Sequence, residues 1–344
     1  MLNDDYKNEV LSICIPTKDR SDKLISTISE FYKQIGSHDA RIYISDNSED
    51  DVTEKLILEK FGYDDKIKYF SNESGSKTFQ TIFQNLAIKA KGEYLWFFGD
   101  DDLPFDDALD KIFSAIDESP DFILVKYVGY DSKLENVLPY WKNKIEEDSR
   151  IYKGSFVSTL ISSYPYNGFI SFVIMRKKHL LKALQDKHID LDSNYVLTFA
   201  WSIALLSLPD ASLGISIGKP LVKWREEFGN SADRSWWSKS RFLLNLEHME
   251  IFATLSEWHN SPVLLKEYDG PLQWKLIAIA ISWKFRNHLY IADALKAIEL
   301  YDNIKFHVKV SFLAFGLIPS DTLLIFRPLF SKIYGLMKRN SAEY

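Results

Sequence analysis

Short apolar runs rich in β-branched and aromatic side chains punctuate the first third of the chain: Val10 to Ile15, Arg41 to Ser45, Ile67 to Phe70 and Tyr94 to Phe98. Their length and composition predict buried strands. Between them the apolar spacing lengthens. Leu24, Ile25, Ile28, Phe31 and Tyr32 recur at helical intervals behind Ser21, which is placed to cap that helix; a second helical stretch runs through Leu58 and a third covers Phe79 to Lys91. Strands alternating with helices predict an α/β layered fold with a mainly parallel sheet, in which ligands bind at the carboxyl ends of the strands. Further strands are expected at Asp121 to Val128, Phe169 to Met175 and Leu221 to Trp224, with a charged polar loop over Ser132 to Arg150 and an apolar helix over Val196 to Leu208. From Ser235 the pattern is helical: Phe242, Leu243, Leu246, Met249, Phe252 and Leu255 form one stripe, Leu272 to Phe285 a second helix, and Phe312 to Ile318 and Leu323 to Met337 further apolar segments.

The fourth strand ends abruptly. Phe98 is followed by Gly99 and three consecutive aspartates, Asp100, Asp101 and Asp102, before Leu103 and Pro104. Carboxylates crowded at a strand end repel one another unless a positive charge sits among them. A divalent cation held by hard oxygen ligands, Mn²⁺ or Mg²⁺, meets that need and commonly bridges to substrate phosphates. A solvated acidic turn, with Asp102 capping the following helix, is the plainer alternative. Asp19 and Asp46 also fall at carboxyl ends of strands, and Lys18 and Arg20 share the first of these edges. A carboxylate after the second strand can accept hydrogen bonds from a base or ribose. Glycine-rich phosphate loops are missing from the first strand-helix turn, so metal has to do the phosphate work that backbone amides do elsewhere.

Composition narrows the setting. With 344 residues, 46% of them hydrophobic, the chain can bury a substantial core. Its one cysteine, Cys14, excludes an intrachain disulfide and suits a reducing compartment. Met1 to Glu9 is polar, without the apolar core of a signal peptide. The net charge is -6, yet Ile304 to Asn340 holds six Lys or Arg against the single acid Asp321. That basic, aromatic tail has the composition of segments lying on an anionic membrane surface, or else of a helical subdomain packed on the body. The histidines, His179, His188 and His288 among them, lack metal-site spacing.

Ser12 to Arg20 (Ser-Ile-Cys-Ile-Pro-Thr-Lys-Asp-Arg), Ile44 to Ser48 (Ile-Ser-Asp-Asn-Ser) and Ala90 to Pro104, in that order and spacing, resemble glycosyltransferase family 2 and its GT-A fold. Within the family, the Gly-Asp-Asp-Asp form is similar to bacterial O-antigen and capsule transferases, including abequosyltransferase-like members. The resemblance implies a Rossmann-like, mixed and mainly parallel sheet flanked by helices over residues 1–232, with a nucleotide-sugar half at 8–128 and an acceptor half at 129–232, followed by a helical region at 233–344. It implies that Pro16, Thr17, Asp19 and Arg20 border the nucleotide, that Asp46 contacts it, that Asp100 lies near ribose and that Asp101 ligates the metal. Two positions depart from the family pattern. Gly99 stands where an aspartate is common, which shifts metal ligation towards Asp102, and Phe83 and Gln84 stand near the place of an Arg-Asn pair.

Further along, the region around Tyr166 and Phe169 corresponds to the acceptor pocket, where aromatic faces suit a sugar's C–H surface as well as they suit plain packing. Inverting members use a carboxylate near His188 to Tyr195 as general base; Asp192 is the first choice and Asp190 the second, with helix capping an equal alternative for Asp192. Arg225, ahead of Gly229-Asn-Ser231, matches the basic residue that closes over the diphosphate, or else pairs with Glu226 or Glu227. The expectation is therefore a metal-dependent inverting transferase at the inner face of the cytoplasmic membrane. It would move sugar from a nucleotide-sugar donor to a polyprenyl-diphosphate-linked saccharide acceptor, with no nucleic-acid partner. A sugar nucleotidyltransferase and a membrane-docked assembly factor are the rivals.

Overall fold

The computed structural model describes residues 9–36, 38–71, 79–142, 145, 147–152, 170–186, 211–225 and 306–317, with scattered helical positions within 200–209 and 294–298. The chain divides into two compact units, Met1–Ala232 and Asp233–Tyr344.

In the first unit the elements run β1 (Leu11–Thr17), α1 (Ser21–Ile35), β2 (Ala40–Asp46), α2 (Val52–Phe61), β3 (Ile67–Ser71), α3 (Phe79–Lys89), β4 (Tyr94–Phe97), β5 (Leu103–Pro104), α4 (Ala108–Ile116), β6 (Phe122–Tyr130), β7 (Val137–Lys142), β8 (Ser149–Tyr152), β9 (Val173–Arg176), α5 (Lys177–Leu184) and β10 (Leu213–Arg225). The strands form one mixed sheet in the order β3-β2-β1-β4-β9-β6-β10-β5, with β7 added on β6 and β8 on β10. The strands β3, β2, β1 and β4 are mutually parallel. So are β6 and β10, whereas β9 runs antiparallel between β4 and β6. The strand-helix alternation predicts this layered α/β sheet, and its Rossmann-like mixed form is the one the family resemblance implies.

Every residue of β1 is buried, as a strand covered on both faces requires. Helix α1 turns Leu24, Thr27, Ile28, Phe31 and Ile35 inward, and Phe31 meets Trp96 and Phe98 edge-to-face with ring centroids 5.5 and 4.7 Å apart. Phe98 and the acidic turn are thereby seated on α1.

Three local expectations change. The stretch expected as a polar loop, Ser132 to Arg150, contains β7 and the start of β8, because edge pairing with β6 and β10 overrides its polar composition. The predicted strand at 169–175 begins with a 3₁₀ turn, Ile170–Phe172, and β9 starts only at Val173. Ser21 is the first residue of α1 rather than its cap; Arg20 holds the cap position, without a side-chain cap bond.

In the second unit, α6 (Phe306–Leu317) buries Val308 and Phe312 and exposes Phe306, Val310 and Leu317 along one stripe. No helix among the described residues is long and apolar enough to cross a membrane.

Candidate active site

Because β1, β2 and β4 are parallel, Thr17, Asp46 and Asp100 arrive at the same edge of the sheet. The chain leaves β1 towards β2 on one side and returns to β4 on the other, so the crevice between the ends of β1 and β4 is the switch point at which such sheets bind ligands. Across that crevice the Thr17 hydroxyl donates to Asp100 Oδ2 at 2.8 Å.

Two guanidinium groups hold the acidic turn. Arg20 Nη1 lies 3.2 Å from Asp100 Oδ1 and 3.0 Å from Asp101 Oδ2, so one nitrogen bridges two carboxylates. From the far end of β10, the Arg225 backbone N–H donates to Asp102 Oδ1 at 3.0 Å, while its Nε donates to the Asp101 carbonyl and its Nη1 to the Ser132 carbonyl, both at 2.7 Å. Two of its guanidinium nitrogens are given to backbone, tying the turn after β6 to the acidic turn.

Burial makes this site electrostatically costly. Asp100 and Asp102 are 2% and 1% exposed. Burial, and next to it the charge of Asp101, pushes the Asp100 carboxyl up to about 7, against the lowering influence of Arg20 and Thr17. The same two causes in the same order raise Asp102 well above the ordinary aspartate range. Asp101, with its side chain 21% exposed, is the member of the three that faces outward.

Gly99 gives the turn its shape. A methyl group there would lie less than 3.0 Å from Asp102 Oδ2 and 3.4 Å from Asp101 Oδ1. The Asp102 side chain thus folds back into space that any larger residue at 99 would fill.

No group of three or more His, Cys, Asp and Glu side chains assembles as a metal site among the described residues. The donor pair nearest Gly99, Asp101 Oδ1 and Asp102 Oδ2, is made of hard oxygens, one on a partly exposed carboxyl and one on a buried carboxyl. It fits a Mg²⁺- or Mn²⁺-like ion that takes one or two carboxylates and completes its shell with water and phosphate.

The second wall is built around Asp46, 2% exposed. Its Oδ1 accepts from the Ser48 backbone N–H at 2.8 Å and hydroxyl at 2.6 Å, and its Oδ2 from the Tyr69 hydroxyl at 2.9 Å. Ser48 Oγ in turn accepts from the Asp19 N–H at 2.8 Å, and the Asn47 N–H reaches the Thr17 carbonyl at 2.9 Å. The loops after β1 and β2 are therefore clasped together. Asp19 is held there at φ 54, a left-handed conformation that aspartate tolerates better than most residues, and it is exposed at the rim. Pro16 sits in the buried end of β1 opposite Ser45.

So Pro16, Thr17, Asp19, Arg20, Asp46, Asp100, Asp101, Asp102 and Arg225 meet at one edge of the sheet. Asp190 and Asp192 lie outside the described residues, as do Tyr166, Phe169, Glu226 and Glu227. Sequence reasoning missed Thr27, whose buried hydroxyl lies 2.7 Å from the Asp102 carbonyl and 3.0 Å from that of Asp100. It also missed Ser171, whose hydroxyl accepts from the Gly99 N–H at 3.1 Å while its carbonyl accepts from Trp96 Nε1 at 3.0 Å. The one signal for Thr27 is a polar residue within an otherwise apolar helical stripe; Ser171 has none.

Residues 12–179 match the family described as Glycosyl transferase family 2. Among curated proteins the chain is similar to abequosyltransferase RfbV of Salmonella typhimurium, 26% identical over 198 residues, covering 55% of this chain and 57% of that one. It is also similar to the GalNAc(5)-diNAcBac-PP-undecaprenol beta-1,3-glucosyltransferase of Campylobacter jejuni, 26% identical over 172 residues, with 49% and 54% covered. The chain thus spans little more than half the length of these curated relatives. Among solved structures, S. aureus TarS 1-349 in complex with UDP-GlcNAc shares the fold at TM-score 0.55 and 16% identity, covering 89% of each chain. The mannosyltransferase PcManGT of Pyrobaculum calidifontis, in complex with GDP-Man and Mn²⁺, does so at TM-score 0.51 and 14% identity, covering 89% of this chain and 86% of that one. Residues 12–179, just under half of the chain, thus carry its match to glycosyl transferase family 2.

Proposed function

We propose that this chain is a metal-dependent, inverting glycosyltransferase that moves a sugar from a nucleotide diphosphate donor to a hydroxyl of a lipid-linked bacterial surface glycan intermediate. One observation carries the reading: within a family 2 domain, a buried, mutually repelling acidic turn faces the switch-point crevice between β1 and β4. Charges so placed cost stability and make sense as a binding site for a cation and a diphosphate. The relatives support the setting, since one is named for an undecaprenol-linked substrate and two structural neighbours hold UDP-GlcNAc or GDP-Man.

In this reading the clasped loops, with Asp19 at the rim and Asp46 fixing Ser48, border the nucleoside. Asp100, bonded to Thr17, lies beside the ribose. Asp101 and Asp102 hold Mn²⁺ or Mg²⁺, which supplies charge stabilisation to the departing diphosphate. Arg225 keeps the turn in register through its backbone bonds and adds positive charge beside it. Asp192, or Asp190 in its place, accepts the proton of the acceptor hydroxyl as that oxygen attacks the anomeric carbon opposite the leaving phosphate. The bond from anomeric carbon to phosphate oxygen breaks as the new glycosidic bond forms, and the nucleoside diphosphate leaves.

The exposed Phe306, Val310 and Leu317 of α6, within the basic tail, support docking at an anionic membrane surface on the cytoplasmic side, where a polyprenyl-linked acceptor resides. The test is a panel of nucleotide sugars assayed for Mn²⁺-dependent release of nucleoside diphosphate. Asp101→Ala should abolish the metal-dependent part of donor binding with the fold intact, and Asp192→Asn should keep binding and lose transfer. Pyrophosphate release, or donor affinity indifferent to metal in the unmodified chain, refutes the reading.

A further inference from the structure

We infer that Arg20 is the resident counter-cation of the acidic turn, and that it makes entry of a divalent cation conditional on the arrival of the donor's diphosphate. The inference rests on the reading above that Asp101 and Asp102 take such a cation, and it concerns what controls that event.

Arg20 Nη1 is within 3.2 Å of carboxylate oxygens from two successive aspartates, and the Arg20 side chain is 12% exposed. Surface ion pairs contribute little, but a guanidinium shielded from water and shared by two carboxylates interacts with them in a medium of low effective dielectric. Its position follows from backbone geometry. Arg20 occupies the cap position of α1, and Asp19 before it is held in the left-handed region by the Ser48 clasp. The side chain is therefore delivered into the turn by a loop that is fixed before any ligand binds.

Charge balance supplies the control. With the carboxylates ionised, as a cation requires, Asp100, Asp101 and Asp102 face Arg20 and Arg225, leaving a surplus of one negative charge. A lone divalent ion would convert that to a surplus of one positive charge next to two guanidinium groups. Accompanied by a diphosphate ester carrying about two negative charges, the same ion leaves the site with about one negative charge rather than a positive surplus. Without Arg20 the lone ion would be matched by the turn itself. Arg20 thus suppresses futile metal occupancy and couples metal to donor; by reciprocity each raises the other's affinity by the same factor.

The experiment titrates Mn²⁺ alone, with free Mn²⁺ read by electron paramagnetic resonance at pH 8, into the full chain and into Arg20→Gln and Arg20→Lys. The titrations are repeated with UDP and with GDP. The unmodified chain should bind Mn²⁺ alone at least about tenfold more weakly than Arg20→Gln, the effect of one nearby like charge partly screened. Arg20→Lys, which keeps the charge, should stay near the unmodified chain. A nucleoside diphosphate should tighten Mn²⁺ binding strongly in the unmodified chain and much less in Arg20→Gln. Equal Mn²⁺ affinity in the unmodified chain and Arg20→Gln overturns the role of Arg20 and leaves metal dependence standing. Absence of Mn²⁺ binding in every chain, with either nucleotide, overturns the metal reading and this inference together. Should Arg20→Gln fail to fold, the unmodified chain alone decides: Mn²⁺ affinity indifferent to both nucleotides is enough to reject the coupling.

Discussion

Replacing Gly99 by alanine should damage the acidic turn through one side chain, that of Asp102. The added methyl would fall less than 3.0 Å from Asp102 Oδ2 and 3.2 Å from its Cγ, against ordinary contacts of 3.4 Å and more. Gly99 is not in the left-handed region, so backbone strain does not enter, and the reduction in unfolded-state entropy on going from glycine to alanine is worth about 0.5 kcal/mol in favour of the variant. Asp102 must rotate away, which breaks its buried bond from the Arg225 N–H and leaves that donor unpaired; losing that bond, or the strain of keeping it, is worth about 2 to 3 kcal/mol. The net expectation is a destabilisation of about 2 kcal/mol. It should come with loss of metal-dependent donor binding, since Asp102, one of the two residues proposed to hold the metal, is displaced.

A double-mutant cycle isolates the cause. In an Asp102→Ala background the methyl has nothing to strike, so Gly99→Ala should become neutral or slightly stabilising. The coupling between the two sites in urea denaturation should then reach about 2 kcal/mol. Additive effects, or Gly99→Ala with normal stability and normal Mn²⁺-dependent nucleotide binding, would refute the claim that Asp102 occupies the space at residue 99.

Further outcomes follow from the same geometry. Asp102 has its ionised form disfavoured by burial, so its folded pKa stands above the ordinary 3.8 and its ionisation costs stability as pH rises beyond that value. Asp102→Asn, which can still accept from the Arg225 N–H, should gain stability relative to the unmodified chain as pH goes from 5 to 8 in metal-free buffer while losing metal-dependent binding; a constant difference in melting temperature across that range contradicts this. At the opposite end of the sheet, buried Glu9 accepts from the Tyr43 hydroxyl at 2.8 Å, from Arg41 Nη1 at 3.2 Å and from the Ser12 hydroxyl. Glu9→Ala should therefore cost about 3 kcal/mol in chemical denaturation, with nucleotide affinity unchanged. Phe306→Ser together with Leu317→Ser should reduce sedimentation with phosphatidylglycerol vesicles several-fold, a result that undisturbed vesicle binding would exclude.

What could be read from the sequence was whatever depends on local composition. The fully apolar β1, the aromatic β4 and the inward stripe of α1 announce themselves by period, and the aspartates after Phe98 by their improbability at the end of a buried strand. The unread part consists of polar residues whose meaning lies in distant partners. Glu9 sits in a polar N-terminal stretch, yet it is buried because Arg41 and Tyr43 come to it from β2. Thr27 is one hydroxyl in a helix until the acidic turn, some 75 residues on, brings two carbonyls to it. β7 and β8 escape notice because polar edge strands carry little periodicity of their own. Arg20 was legible as a charge near the nucleotide loop, but its bridging of two aspartates depends on a pairing across 80 residues.

These long-range contacts also explain why the acidic turn persists at all. A turn that presents three carboxylates and buries two of them would relax into solvent if it were held only by its own loop. It is instead fixed from four directions: Thr17 at the end of β1, Arg20 and Thr27 on and before α1, Ser171 ahead of β9, and Arg225 at the end of β10. Each clamp belongs to an element whose place is set by the apolar core, so the stability of the sheet is what holds the carboxylates in a geometry they would not choose. The resistance of Asp100 and Asp102 to ionisation in the free protein is the counterpart of the turn's readiness for a cation, because the electrostatic cost of holding the carboxylates together is relieved when a divalent ion arrives with its phosphates. It follows that substitutions which neutralise the turn should raise stability and lower function, whereas substitutions in the clamps should lower both. That asymmetry separates a site built for a ligand from an acidic turn that is merely tolerated.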